Sequence, residues 1–155
     1  MKEIKLTQGF ITLVDDEDFE YLNQFKWCAA KINKNYYASK GRSINLIKMH
    51  RLIMKTPKGF VVDHIDHNTL NNQKSNLRNC LSRQNTANRT PSGTSKYLGV
   101  SVFKTGKFKG KISGYITANK KRYSLGYFKT EEAAARKYDE MAKMCHGEFA
   151  NLNFK

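Results

Sequence analysis

The chain has 155 residues, 39% hydrophobic and 12% aromatic, with 28 basic against 13 acidic residues and a formal charge of +15. That length suits one ordinary domain or two small ones, and that apolar content excludes disorder. The charge points to a polyanion, nucleic acid before an anionic membrane surface, and the longest apolar run, Trp27–Ala30, excludes a transmembrane helix.

The opening residues, MKEIKLTQGF, hold no apolar core for a secretory signal. Gly9–Val14 is expected as a strand. The acidic run Asp15–Asp18 leads into a short helix, Phe19–Leu22, since carboxylates suit a helix N-terminus. Trp27–Ile32, Tyr36–Ser39 and Ile44–Lys48 read as short strands, with Trp27, Tyr36 and Tyr37 in the core. Met49–Met54 reads as one or two helical turns, ended by Pro57 and Gly59. Phe60–Ile65 is expected as a strand, followed by a long polar stretch and a second strand over Asn76–Leu81. Ser82 is a candidate N-cap for a helix to about Arg89. The three cysteines, Cys28, Cys80 and Cys145, form no CxxC pair. They are expected as core residues of a protein in a reducing cytoplasm.

Residues 89–95, Arg-Thr-Pro-Ser-Gly-Thr-Ser, have linker chemistry. The expected organisation is therefore two parts, 1–90 and 96–155, joined by 91–95. Both are basic: 15 against 8 charges in 1–90, and 13 against 5 in 91–155. In the second part Tyr97–Lys104, Lys107–Ala118 and Lys121–Phe128 read as three antiparallel strands, with turns at Thr105-Gly106 and Asn119-Lys120. Thr130 caps a helix whose apolar stripe is Ala134, Tyr138, Met141, Ala142 and Cys145, and Gly147 stops it. The fold class is α+β.

Between Lys96 and Arg122 lie eight basic residues and no acidic one. Phe108, Gly110, Ile112, Gly114 and Ile116 alternate with Lys107, Lys109, Lys111, Ser113, Tyr115 and Thr117, and Phe103, Tyr115, Tyr123 and Tyr127 lie among the basic residues. A sheet with one such face can enter the DNA major groove, where lysines meet phosphates and side chains reach base edges. RNA is disfavoured, because the paired aromatic motifs of RNA-recognition folds are missing.

Ser95-Lys-Tyr-Leu-Gly-Val100, Gly106-Lys-Phe108, Leu125-Gly-Tyr-Phe128, Thr130-Glu-Glu-Ala-Ala-Ala-Arg-Lys-Tyr-Asp139 and His146-Gly-Glu-Phe-Ala-Asn-Leu-Asn-Phe154 resemble the APETALA2/ethylene-response-factor DNA-binding domain. The resemblance implies a three-stranded sheet packed on one helix, with the sheet in the major groove. It places DNA contacts at Leu98, Ser101, Phe103, Lys107, Lys111, Ser113, Arg122, Ser124 and Tyr127, beside Lys109. Several of these positions are Arg or Trp in the plant proteins, so DNA binding carries over and the plant target sequence does not.

The densest chemistry is Val62-Asp-His-Ile-Asp-His-Asn68, inside a stretch with seven asparagines between Asn68 and Asn88. Asparagine suits turns, so many of these are expected to be structural, and Asp66 and His67 exposed. Asp63 could serve as a hard-cation ligand and His64 as a base beside it. Asp63-His64, Ser75-Asn-Leu-Arg78 and Ser82-Arg-Gln-Asn85, with His50-Arg-Leu-Ile53 upstream, resemble the HNH motif of homing endonucleases in its variant ending in asparagine. HNH nucleases joined to a plant-like DNA-binding domain occur in phages and bacteria, so each resemblance supports the other.

That resemblance implies a metal-dependent endonuclease acting on double-stranded DNA in the cytoplasm of a bacterium or phage-infected cell. Asp63 and Asn85 would hold one divalent ion, Mg²⁺ or Mn²⁺. His64 would be the general base, and Asn76 would hold the loop and orient His64 by a hydrogen bond. His50 would lie near the site and Arg89 could face a phosphate. A monomer without membrane association is expected. The competing reading is a sequence-specific DNA-binding protein with an inactive nuclease fold.

Overall fold

A computed structural model describes residues 1–41, 45–85, 88, 90–91 and 93–154. It is a mixed α and β chain that divides into two compact units, Met1–Ser82 and Arg83–Lys155. No helix among the described residues is long and apolar enough to cross a membrane.

The first unit opens with a hairpin the sequence only half disclosed. β1 (Lys2–Lys5) pairs antiparallel with β2 (Ile11–Val14), Lys2 opposite Val14. Gln8 and Gly9 both take positive φ in the connection. α1 (Asp16–Leu22) holds Asp16, Glu17 and Asp18 in its first turn, where they complement the helix dipole. β3 (Cys28–Ile32), β4 (Asn35–Lys40) and β5 (Ile47–Lys48) form an antiparallel sheet in that order. Ile44, the expected start of the last strand, lies outside the described residues. α2 (Met49–Ile53) follows β5 directly.

The core gathers Ile4, Leu6, Val14, Leu22, Trp27, Ala29, Ala38 and Met49. Trp27 is buried as expected, with its indole N–H donating to the Leu22 carbonyl at 2.8 Å. A buried indole needs such a partner. β6 (Val61–His64) and β7 (Leu77–Cys80) then make a two-stranded antiparallel pair, with Asp63 opposite Arg78 and His64 opposite Leu77. A single 3-10 turn, Lys74–Asn76, leads into β7. α3 begins at Ser82 and is described over Ser82–Asn85.

In the second unit β8 (Val100–Val102), β9 (Ile112–Ala118) and β10 (Lys121–Phe128) form an antiparallel sheet with β9 central. Asn119 and Lys120 turn between β9 and β10 with φ of 51° and 63°, the paired positive values of a two-residue hairpin loop. α4 (Glu131–His146) packs on the sheet. The Thr130 hydroxyl accepts from the Ala133 N–H, and Gly147 ends the helix at φ +54°. Gly99 has a stricter need. Its φ is +69°, and a Cβ there would lie 2.0 Å from the Tyr138 ring.

Asp139, near the middle of α4, is buried and latches the tail. Its Oδ1 accepts from the Asn153 backbone and side-chain amides, and its Oδ2 from the Phe154 N–H. The Asn153 side chain in turn bonds both backbone groups of Leu98.

Several expectations need correction. The middle strand starts at Ile112, because Lys107–Gly110 is a turn. Gly106 and Gly110 sit at φ +73° and +82°, and the Gly110 N–H folds back onto the Phe103 carbonyl. The cysteines are not all core: Cys80 is buried, Cys28 half-buried and Cys145 exposed. The buried stripe of α4 is turned toward Ala135 and Asp139, leaving Cys145 at its margin. Thr94 and Ser95, read as linker, are bonded within the second unit, to the Val102 N–H and the Glu131 carboxylate.

Candidate active site

β6 ends on Asp63 and His64, and both side chains are buried, at 4% and 6% exposure. Successive strand residues face opposite ways, so burial of both requires cover on both faces of this short pair. Asp63 meets Arg78, its cross-strand partner. The guanidinium reaches Oδ2 through Nε at 2.8 Å and through a second nitrogen at 2.7 Å. This charge-assisted contact fixes the carboxylate in one orientation.

His64 is caged by rings. His50 stands edge-on at 5.1 Å between centroids, and Tyr37 lies 5.6 Å from His50 and 6.2 Å from His64. α2 and β4 supply these neighbours. Burial pushes the His64 pKa below the ordinary histidine value, opposed by the Asn72 hydrogen bond and the Asp66 and Asp63 carboxylates. Burial pushes His50 further down, to about 3, with the His64, Lys48 and Arg51 charges acting the same way. Both imidazoles are therefore neutral near pH 7, and a neutral imidazole can accept a proton.

The loop between β6 and β7 is tied by its own side chains. Asp66 accepts from the Asn68 N–H and the Asn71 side-chain amide. Burial works against its carboxylate, but these donors prevail and hold its pKa below the usual range. Asn76 closes the loop: its Oδ1 accepts from the Asp66 N–H and its Nδ2 donates to the Asn71 carbonyl, both at 2.9 Å. Asp66 and His67 are exposed, as expected.

The side-chain amide that meets His64 belongs to Asn72, with His64 Nε2 and Asn72 Oδ1 3.4 Å apart. Asn76, expected to orient His64, bonds the loop at the Asp66 N–H and the Asn71 carbonyl. Sequence reasoning also passed over Arg78 and Tyr37 as site residues. The Asp63–Arg78 pair had a usable signal, since opposite charges often face each other across a hairpin. Among the described residues, no three His, Cys, Asp or Glu side chains gather as a ready-made metal cage. Asn85 lies in α3 and is exposed, and Arg89 lies outside the described residues.

In the second unit, cross-strand registry sets one face. Ser101 pairs with Ser113, Ser113 with Tyr127, Tyr115 with Ser124, and Thr117 with Arg122. Directly opposed residues share a face, so Ser101, Ser113, Tyr127, Ser124 and Arg122 stand together. Arg122 lies 3.4 Å over the Tyr115 ring. Lys107, Lys109 and Lys111 sit on and just after the turn before β9. Phe103, Phe108 and Tyr127 stack nearby, with the Lys111 ammonium 5.3 Å from the Phe108 and Tyr127 rings. Leu98 does not belong to this face. It is 5% exposed and packs with Ile116 and Tyr138, so it cannot reach a ligand.

The HNH endonuclease family matches residues 48–87, a segment that includes α2, β6, β7 and Ser82–Asn85 of α3. An uncharacterized HNH endonuclease of Acanthamoeba polyphaga mimivirus is 32% identical over 152 residues, covering 94% of this chain and 76% of that protein. Protein 3.8 of Escherichia phage T7 is 36% identical over 98 residues, covering 62% of this chain and 78% of that protein. No solved structure matches the chain significantly. HNH nucleases generally use a divalent metal and act on DNA. With its Asp-His pair at the end of a strand inside the matched segment, and a relative aligned along nearly its whole length, the chain belongs to the HNH endonuclease family.

Proposed function

We propose that the chain is a metal-dependent, homing-type endonuclease that hydrolyses phosphodiester bonds in double-stranded DNA. The observation that carries this reading is the end of β6, where a neutral buried imidazole follows a buried carboxylate. In it, His64 takes a proton from water. The water oxygen bonds to phosphorus as the P–O3′ bond breaks, and the leaving oxygen collects a proton from solvent. The products carry 5′-phosphate and 3′-hydroxyl ends.

Asp63 and Asn85 are assigned as the protein ligands of one Mg²⁺ or Mn²⁺ ion. A carboxylate and an amide oxygen are hard donors that suit such a cation, with DNA oxygens and waters completing its shell. When bound, the ion supplies charge neutralisation at the scissile phosphate and the leaving oxygen. Arg78 orients Asp63, and Asn76 holds the loop that follows His64. His50 packs against the base. Arg89 is retained as a phosphate contact on its sequence position alone.

DNA is gripped, in this reading, by the second unit: Ser101, Ser113, Arg122, Ser124 and Tyr127 on the sheet face, with Phe103 and Lys107, Lys109 and Lys111 beside them. What supports this is the architecture, three antiparallel strands on one helix, which the APETALA2/ethylene-response-factor resemblance implied. The protein acts as a monomer in the cytoplasm of a bacterium or phage-infected cell, a setting consistent with its relative in phage T7.

Supercoiled plasmid incubated with and without Mg²⁺ tests the reading. Cleavage should require the ion. His64→Ala should lose at least ~100-fold in rate, the usual worth of a general base, while retaining DNA binding in gel shifts. Cutting at the wild-type rate by that variant would remove His64 from the mechanism. Binding without cutting under any divalent ion would leave a DNA-binding protein on an inactive nuclease fold.

A further inference from the structure

Thr12, Asn72 and His64 form a buried chain of hydrogen bonds, at 0%, 1% and 6% exposure. The Thr12 hydroxyl lies 2.7 Å from the Leu70 carbonyl, Asn72 Nδ2 lies 2.7 Å from the Thr12 hydroxyl oxygen, and Asn72 Oδ1 lies 3.4 Å from His64 Nε2. The chain has only one direction. A carbonyl oxygen cannot donate, so the single hydroxyl hydrogen of Thr12 goes to Leu70. The hydroxyl oxygen is then the acceptor, and the Asn72 group facing it must be the NH₂. That leaves the Asn72 carbonyl oxygen facing His64, and it too cannot donate. This contact favours a neutral His64 with its proton on Nε2.

The backbone holds this chain in place. The Leu13 N–H donates to the Leu70 carbonyl, and the Asn72 N–H donates to the Leu13 carbonyl, at 2.9 and 2.8 Å. β2 thus runs alongside residues 70–72, with Leu13 bridging Asn71 in parallel. Thr12 lies outside the family-matched segment 48–87, yet it sets the orientation of an amide inside it.

We propose that Thr12 and Asn72 are positioning residues that lock His64 in its Nε2-protonated tautomer, so that Nδ1 is the nitrogen that accepts the proton from water. This rests on His64 being the base. The proton leaves water for Nδ1, the water oxygen bonds to phosphorus, the P–O3′ bond breaks, and the 3′ oxygen is protonated by solvent. In the opposite tautomer Nδ1 already carries hydrogen and cannot take the proton. The N-terminal hairpin then belongs to the catalytic core.

The test uses the full chain with ¹⁵N-labelled histidine, and the His64 resonances are identified by their loss in His64→Ala. In the wild type at pH 7.5, long-range ¹H–¹⁵N correlations should show hydrogen on Nε2 and an unprotonated Nδ1. Thr12→Val removes the acceptor for the Asn72 NH₂ and frees the amide to turn that group toward His64. The tautomer population should move toward Nδ1–H, and kcat should fall roughly 10- to 100-fold, as for other orienting partners of functional histidines, with KM for DNA unchanged. Thr12→Ser keeps the hydroxyl and should restore both readouts. Asn72→Asp keeps an oxygen toward Nε2 and should retain the Nε2–H tautomer. A wild-type His64 protonated on Nδ1, or a Thr12→Val protein that loses kcat with its tautomer unmoved, overturns the proposal. If His64→Ala still cuts at the wild-type rate while Thr12→Val shifts the tautomer, the base assignment fails and the lock itself stands.

Discussion

Single residues at this site work by being kept from water. His50 is the clearest case, with burial holding its pKa at about 3. An exposed histidine in the unfolded chain titrates near ~6.5. Between those values the unfolded state binds a proton that the folded state refuses, so stability rises with pH across this window and is lost as pH falls through it. The loss is at most ~1.4 kcal/mol per pH unit for one such group. Burial depresses His64 as well, in the same direction. Urea midpoints should therefore be level above about pH 7 and decline steadily below ~6.5, and His50→Gln should flatten the decline. A midpoint unchanged between pH 7 and pH 5 would show that these rings are not sealed from solvent. Asp63 and His64 drew notice through their spacing to Ser75–Arg78 and Ser82–Asn85, since an adjacent carboxylate and imidazole alone are more commonly a cap and a packed ring. Asn72 was hidden for the opposite reason. It is one of seven similar asparagines, and its partner Thr12 lies sixty positions away. No local pattern distinguishes the amide that faces His64 from those that brace a loop.

Elements with strong periodicity were legible nearly to the residue. β10 spans the expected Lys121–Phe128, and α4 runs from the Thr130 cap to the Gly147 stop. β9 was read too long because the alternation of Lys107–Lys111 fits a strand in side-chain character, while Gly106 and Gly110 take a backbone region that a strand does not use. β1 was missed because four residues with two lysines and a glutamate give no apolar face to recognise. The sharpest constraint between elements is Gly99, where the chain passes under Tyr138 of α4. Gly99→Ala would combine an unfavourable positive φ with a clash against a packed ring. The expected loss is about 3 kcal/mol in the second unit, at the upper end for overpacking. It is measurable as a drop in the thermal midpoint of that unit. A midpoint within a degree of wild type would mean that Tyr138 swings away freely.

At the scale of the whole molecule, charge is shared evenly between the two halves of the chain, so neither half is a neutral passenger. Three lysines are nevertheless concentrated at one turn, Lys107–Lys111, beside the aromatic stack. Each phosphate contact releases counterions and adds about one unit to the salt dependence of binding. Replacing Lys107, Lys109 and Lys111 together by Ala should weaken binding to all DNA sequences alike and lower the slope of log affinity against log salt by roughly 2 to 3. An unchanged slope in salt-titrated gel shifts would move the grip elsewhere. The Asp139 latch has a different reach. A premature stop codon that removed only Asn153, Phe154 and Lys155 would leave translation almost complete, yet strip the carboxylate at the heart of α4 of all three amides that satisfy it. Gene fragments clipped by a handful of bases at that end should therefore yield protein that misfolds in its second half rather than a slightly shorter version of the same enzyme.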